Sequence, residues 1–198
     1  MKLSKGWIIL IVVVGLVIIL LSWGTGINNN LVSKEEGVNQ AWGNVENVYQ
    51  RRLDLIPNLV NTVKGVANFE QQTLTAVIEA RAKATSVQIN PKNLDEGSLQ
   101  KFQQAQNGVS SALGRLMVVV EKYPELKATQ NFSELQAQLE GTENRISVER
   151  MKFNEAAQSY NTYLRSFPNS MFAGMLGFQK KAYFQAQAGA EKAPEVKF

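Results

Sequence analysis

The sequence predicts an all-α chain: a single N-terminal transmembrane helix followed by an up-and-down four-helix bundle of long antiparallel helices. Three observations carry this. An uncharged apolar run sits near the N-terminus. Beyond it, apolar residues recur at steps of three and four. No segment shows the two-residue alternation of a half-buried strand.

The apolar run is Trp7, Ile8, Ile9, Leu10, Ile11, Val12, Val13, Val14, Gly15, Leu16, Val17, Ile18, Ile19, Leu20, Leu21, Ser22 and Trp23. It holds 13 Ile, Val or Leu residues and no charge. As a helix it covers about 25 Å, and extension from Leu3 to Ile27 reaches the roughly 30 Å hydrocarbon core. Thirteen such residues favour insertion by roughly 4 to 8 kcal/mol, and the two tryptophans stand where interfacial aromatics belong. A cleaved signal peptide has a shorter apolar region, about 7–15 residues, and an A-x-A-like site. Here the run ends in Ser22-Trp23-Gly24, so we read residues 1–27 as a retained anchor, with the lipid bilayer as first partner. Lys2 and Lys5 precede the span and only Lys34 follows closely. The positive-inside rule then puts the N-terminus in the cytoplasm and residues 28–198 outside.

Gly24-Thr25-Gly26 and Asn28-Asn29-Asn30 read as a short break after the span. A helix follows from Leu31, with Ser33 and Glu36 as a capping box and Val38, Trp42, Val45 and Tyr49 on its apolar face. Pro57 kinks or barely interrupts it near Asp54. Leu59, Val63, Val66, Leu74, Val77 and Ile78 carry the same stripe to Ala84. Ser86–Asp95, with Asn90-Pro91, is a turn. Leu99, Phe102, Gln106, Val109, Leu113, Leu116 and Val120 mark the next helix, closed by Tyr123-Pro124. The short linker Glu125–Gln130 makes the last long helix return antiparallel. Asn131 or Ser133 caps that helix, Phe132, Leu135, Leu139, Ile146, Phe153, Ala157, Tyr160 and Leu164 form its inner face, and Phe167-Pro168 ends it. Residues 28–168 thus form the helical body and 169–198 a hydrophobic tail. In the tail Met171, Phe172, Met175, Leu176 and Phe178 precede Lys180-Lys181 and Tyr183-Phe184. It reads either as a flap on the body or as a surface for lipid or a neighbouring subunit. From Ala193-Pro194 onward fraying is expected.

Composition narrows the function. The pI near 9.3 looks suited to nucleic acid. Without Lys2 and Lys5, however, 19 basic residues stand against 17 acidic ones, with no basic stripe, so no nucleic-acid partner is expected. The chain has no cysteine and no histidine. Disulfides, thiolate metal sites, the usual general base and the common zinc ligand are therefore missing, and no cofactor is expected.

Three stretches together resemble a known family. Ala41–Gly65 carries Gln50-Arg51-Arg52, Asp54-Leu55, Ile56-Pro57-Asn58-Leu59 and Val63-Lys64-Gly65. Glu143–Pro168 carries Glu143-Asn144-Arg145-Ile146, Arg150, Asn154, Tyr160-Asn161 and Phe167-Pro168. The third is the N-terminal span. The chain resembles the LemA family of bacterial membrane proteins over nearly its whole length, with Phe153 where that family often has tyrosine. The resemblance implies a LemA-like bundle at 28–168 behind one membrane helix in the bacterial plasma (inner) membrane. It implies no catalytic reaction. A magnetosome-associated member of the family points by analogy to membrane organisation or shaping. The family is usually described with its short N-terminus outside and its bundle in the cytoplasm, opposite to the charge count.

Arg51, Arg52 and Asp54 on the first rod and Glu143, Asn144, Arg145 and Arg150 on the last are the candidate interaction or polar network. Arg–carboxylate pairs there would fix helix register; the alternative is a binding surface for another subunit or an acidic ligand. Asp54 or Glu143 as a general base lacks a nearby nucleophile, metal site or phosphate loop. Trp42 and Tyr49 read as core. Asn154 and Asn161, two turns apart, read as register-setting seam residues or as a solvated face. The function expected is a membrane-tethered scaffold that forms a homo-oligomer or binds partner membrane proteins. The alternative is a ligand-sensing bundle acting through a partner.

Overall fold

The computed structural model describes residues 5–65 and 70–186. Lys2, Val66 and the expected fraying from Ala193 lie outside them. The elements are α1 (Lys5–Lys64), α2 (Gln71–Ser86), a 3-10 turn at Pro91–Asn93, α3 (Glu96–Val120), α4 (Pro124–Lys127), α5 (Gln130–Arg165) and α6 (Asn169–Leu176). Among the described residues there is no strand.

Helix α1 has 60 residues and is about 90 Å long. Its apolar first part is long enough to cross a membrane and none of it is buried within the protein. The expected break at Gly24–Asn30 is absent, because tertiary burial outweighs local propensity. Each glycine costs about 1 kcal/mol in a helix, but Ile27 and Leu31 are fully packed into the core, each contributing about 1.5–3 kcal/mol. Polar side chains turn back onto the helix: the Thr25 hydroxyl donates to the Ser22 carbonyl, and Asn30 Nδ2 to the Gly26 carbonyl.

Helix α1 also passes through Pro57 unbroken. Proline has no N–H for the carbonyl four residues back, which is that of Leu53. Arg81 Nε donates to this carbonyl at 2.9 Å, filling the vacancy from α2. The rod does not reach Ala84 as expected. It ends at Lys64, Gly65 lies in a turn, and α2 runs back antiparallel, bringing Arg81 to Leu53. The stripe reads as continuous because Val63, Leu74 and Val77 all bury in one cluster, whichever way the chain runs.

Asp95 caps α3 by accepting from Ser98 N and Ser98 Oγ, and these bonds hold its carboxyl below the usual range. Pro124 opens α4 at its first turn. Thr129, rather than Asn131 or Ser133, caps α5, its Oγ1 accepting from Phe132 N. Helix α5 runs antiparallel to α1, since Lys34 reaches Ser159 and Arg52 reaches Glu143.

The core has two parts. One gathers Leu53, Ile56, Leu59, Val109, Leu116 and Leu139, toward the α1–α2 turn. The other, toward the apolar end of α1, gathers Ile27, Leu31, Trp42, Phe102, Phe153 and Phe184. At its centre Trp42 meets Phe102, Phe153 and Phe184 at centroid distances of 5.2, 5.7 and 6.1 Å.

Candidate functional site

A polar layer separates the two apolar cores. Val38, Trp42, Val45, Tyr49, Arg52, Ile56, Leu59 and Val63 follow one another at alternating steps of four and three, so Arg52 takes a core position in the stripe. It is 1% exposed. Gln106 holds the matching position in the α3 stripe and is also buried. Arg52 Nη1 donates to Ser110 Oγ at 2.8 Å and to Glu143 Oε1 at 2.6 Å. Arg52 Nη2 donates to the Gln106 carbonyl at 3.1 Å and to Gln106 Oε1 at 2.6 Å. The guanidinium lies 5.0 Å from the Tyr49 ring centroid, a favourable cation–π placement. One side chain of α1 thus ties together α3 and α5. Burial pushes the Tyr49 hydroxyl up, although Arg150 and Arg52 nearby pull the other way.

The sequence-predicted residues divide into three groups. Arg52 and Glu143 meet in the layer, with the Glu143 side chain still 45% exposed. Arg51, Asn144 and Arg145 are exposed, and so is Asp54, which accepts from Gln50 at 2.7 Å on the outer face of α1. Arg150 turns to the tail, donating to the Gln185 carbonyl and lying 4.8 Å from the Phe184 ring centroid.

The tail lies on the body, one of the two readings its sequence allowed; the grip that holds it there is the larger feature that sequence reasoning missed. After Gly177, whose φ of 79° closes α6, residues 178–186 run without helix as a strap along α5. Asn161 brackets the backbone of Lys181, its Nδ2 donating to the carbonyl at 2.8 Å and its Oδ1 accepting from the N–H at 2.9 Å. Asn154 does the same for Phe184 at 3.0 and 2.9 Å. The spacing explains the pair. Seven helical residues rise about 10.5 Å, and three extended residues advance about 10 Å. Two asparagines at i and i+7 therefore match backbone groups at j and j+3. Tyr160 donates to the Gln179 carbonyl, Gln103 to that of Gln185, and Ala182 N to that of Leu94. Lys181, 3% exposed, pairs with Glu35 at 2.7 Å. Burial, and then Glu35, push the Tyr160 hydroxyl well above its ordinary value.

Two concavities flank the layer. A cleft of about 390 Å³ opens between α1, α2 and α3 beside Glu46, Tyr49, Gln88 and Gln106. Burial raises the Glu46 carboxyl. A groove of about 690 Å³ lies between α3 and α5, with Leu113, Met117 and Leu139 lining it beside Glu140, Glu143 and Asn144. Among the described residues no group of three or more His, Cys, Asp or Glu is gathered as metal ligands would be.

Comparison with known proteins places this architecture. "Magnetosome protein MamQ 2" of Paramagnetospirillum magneticum is 27% identical over 180 residues, covering 82% of this chain and 66% of that protein. "Magnetosome protein MamQ" of Magnetospirillum gryphiswaldense is 26% identical with the same coverage. "Protein LemA" of Metamycoplasma hominis is 24% identical over 161 residues, 81% of this chain and 70% of that protein. The chain thus spans just under two thirds of the length of the magnetosome relatives. The model of the LemA family matches residues 41–198, from the middle of α1 through the polar layer, the asparagine pair and the strap. The chain belongs to the LemA family.

Proposed function

We propose that this protein is a single-pass, membrane-anchored scaffold of the bacterial inner membrane. In this reading Trp7–Trp23 crosses the bilayer. The second half of α1, with α2, α3 and α5, forms an up-and-down four-helix bundle standing on the span. The bundle holds a second copy of itself or partner membrane proteins, and it carries out no reaction of its own. One observation carries the proposal: the exposed apolar stretch and the core stripe belong to one unbroken helix, Lys5–Lys64. Such a helix sets the height and tilt of the body relative to the membrane, which a scaffold needs and a freely tethered enzyme does not. Relatives named as magnetosome proteins fit a role in membrane organisation.

The groove between α3 and α5 is the surface we assign to self-association, with the outward half of the Glu143 carboxylate at its rim. Light scattering on the full-length protein in mild detergent tests this. Assemblies larger than one chain, reduced by Gly114→Arg or Met117→Glu with helix content unchanged, are expected. A monomer at every concentration would exclude self-association.

A further inference from the structure

Helix α6 seats Phe172 against the core but leaves its other three large apolar side chains outside it. Ala173 is buried and Phe172 half-buried, yet Met171 is 62% exposed, Met175 85% and Leu176 50%, with Phe167 at 82% just before them. Met171 and Met175 stand one turn apart on one face of the helix.

The position of α6 along α1 says what covers this face. Phe172 packs on Gly24 so closely that a Cβ there would lie 3.3 Å from its ring. Gly24 directly follows Trp23 and is nine residues beyond Gly15, the middle of the apolar run. Nine helical residues rise about 13.5 Å, just inside the half-thickness of about 15 Å for the hydrocarbon core. A helix seated on Gly24 is therefore level with the boundary between acyl chains and headgroups. The strap holds it there, since Asn161 and Asn154 fix the chain that leaves α6. The charge fits as well. Arg165 and Lys180 flank α6, both exposed, and no acidic residue lies between Arg165 and Gln185.

We infer that α6 is a second, interfacial membrane anchor. Phe167, Met171, Met175 and Leu176 enter the surface layer of the bilayer that α1 crosses, and Arg165 and Lys180 meet the phosphates of anionic lipids. The inference rests on Trp7–Trp23 being the span. With two contacts on one membrane face, the body is fixed in rotation about α1 as well as in height.

The chain has no cysteine, so one introduced cysteine is a unique labelling site. Full-length Met171→Cys and Met175→Cys, each carrying a nitroxide, are reconstituted in vesicles of phosphatidylethanolamine and phosphatidylglycerol. Collision with oxygen and with a water-soluble nickel chelate is then read by electron paramagnetic resonance. Val14→Cys reports the span and Glu121→Cys the far end of the body. Loss of nickel access at 171 and 175, with oxygen access kept as at 14, is the expected result. Nickel access at 171 and 175 with position 14 shielded would overturn the anchor and leave the span standing. Nickel access at 14 would remove the span and the anchor together. Shielding at 175 with spin–spin broadening that unlabelled protein dilutes away would assign the face to a second copy instead, and overturn the lipid assignment.

Discussion

Arg52 is held by four acceptor contacts and an aromatic ring. Arg52→Met fills the space but leaves the buried Gln106 Oε1 and the half-buried Ser110 Oγ without their donor. Breaking a buried ionic arrangement on one side costs about 3–5 kcal/mol. Glu143 is partly solvated, so the low end, about 3 kcal/mol, is expected here. For a chain of this size that lowers Tm by about 6–12 °C, read as loss of helical circular dichroism in detergent. Lysine should do no better, since a point-like ammonium cannot span the fork. Glu143→Gln should cost under about 1 kcal/mol, because its partner keeps three other contacts and the glutamine oxygen still accepts. Glu46 gives the pH dependence. Its carboxyl is raised by burial, so the folded state binds its proton more tightly than the unfolded one. Its contribution is then complete below the unfolded value and lost as pH rises through the folded one. Glu46→Gln should leave Tm unchanged at pH 4 and raise it at pH 7. The gain should stay under about 1 kcal/mol, because the group is partly exposed and screened. The position of Arg52 was legible in the sequence: it and Gln106 occupy stripe positions that a uniform core would give to leucine. Its partners Ser110 and Gln106 were not, because no periodicity in α1 says which neighbour faces it.

At the scale of elements, Pro57 and Arg81 form a pair that sequence reading had no means to join. The proline removes a donor and the arginine, on another helix, replaces it. Arg81→Met should therefore cost about 1–3 kcal/mol, the penalty of an unfilled partly buried carbonyl. In a Pro57→Ala background the N–H of residue 57 returns to Leu53, and the same change should cost much less. A coupling energy of about 1 kcal/mol or more in the double-mutant cycle is expected from urea unfolding. Additive costs would show that Arg81 acts only through packing. The same limit explains the strap. The apolar faces of α3 and α5 were legible because helical burial repeats within a short window. Asn154 and Asn161 grip backbone about 20–30 residues away, and a backbone partner leaves no mark on sequence pattern. The tail divides accordingly: Phe184 and Lys181 go inward with the strap, while Met171 and Met175 stay outside on α6.

For the whole molecule, the decisive question is whether the proposed anchor and the body move as one. Local rules favour a joint at Gly24–Asn30, where two glycines and three asparagines weaken the helix. Long-range packing favours a rod, because Ile27 and Leu31 sit in the same core as Trp42 and Phe153, and α6 clamps Gly24 from the side. Unwinding this stretch would strip those side chains from the core, and the glycine preference of about 1 kcal/mol each is too small to compensate. The rod should therefore persist in lipid. Nitroxides at Leu16→Cys and Asn47→Cys, both exposed positions on α1, stand 31 residues apart. A straight helix separates them by about 46 Å. Pulsed dipolar spectroscopy in bilayers should give one narrow distance near that value. Gly24→Val, which drives a branched side chain into Phe172, should loosen α6 without shortening that distance, because Ile27 and Leu31 alone keep the helix wound. A broad, shorter distribution in the parent protein would instead mean a hinge. The body would then swing freely above the bilayer, with no fixed face to offer a neighbour.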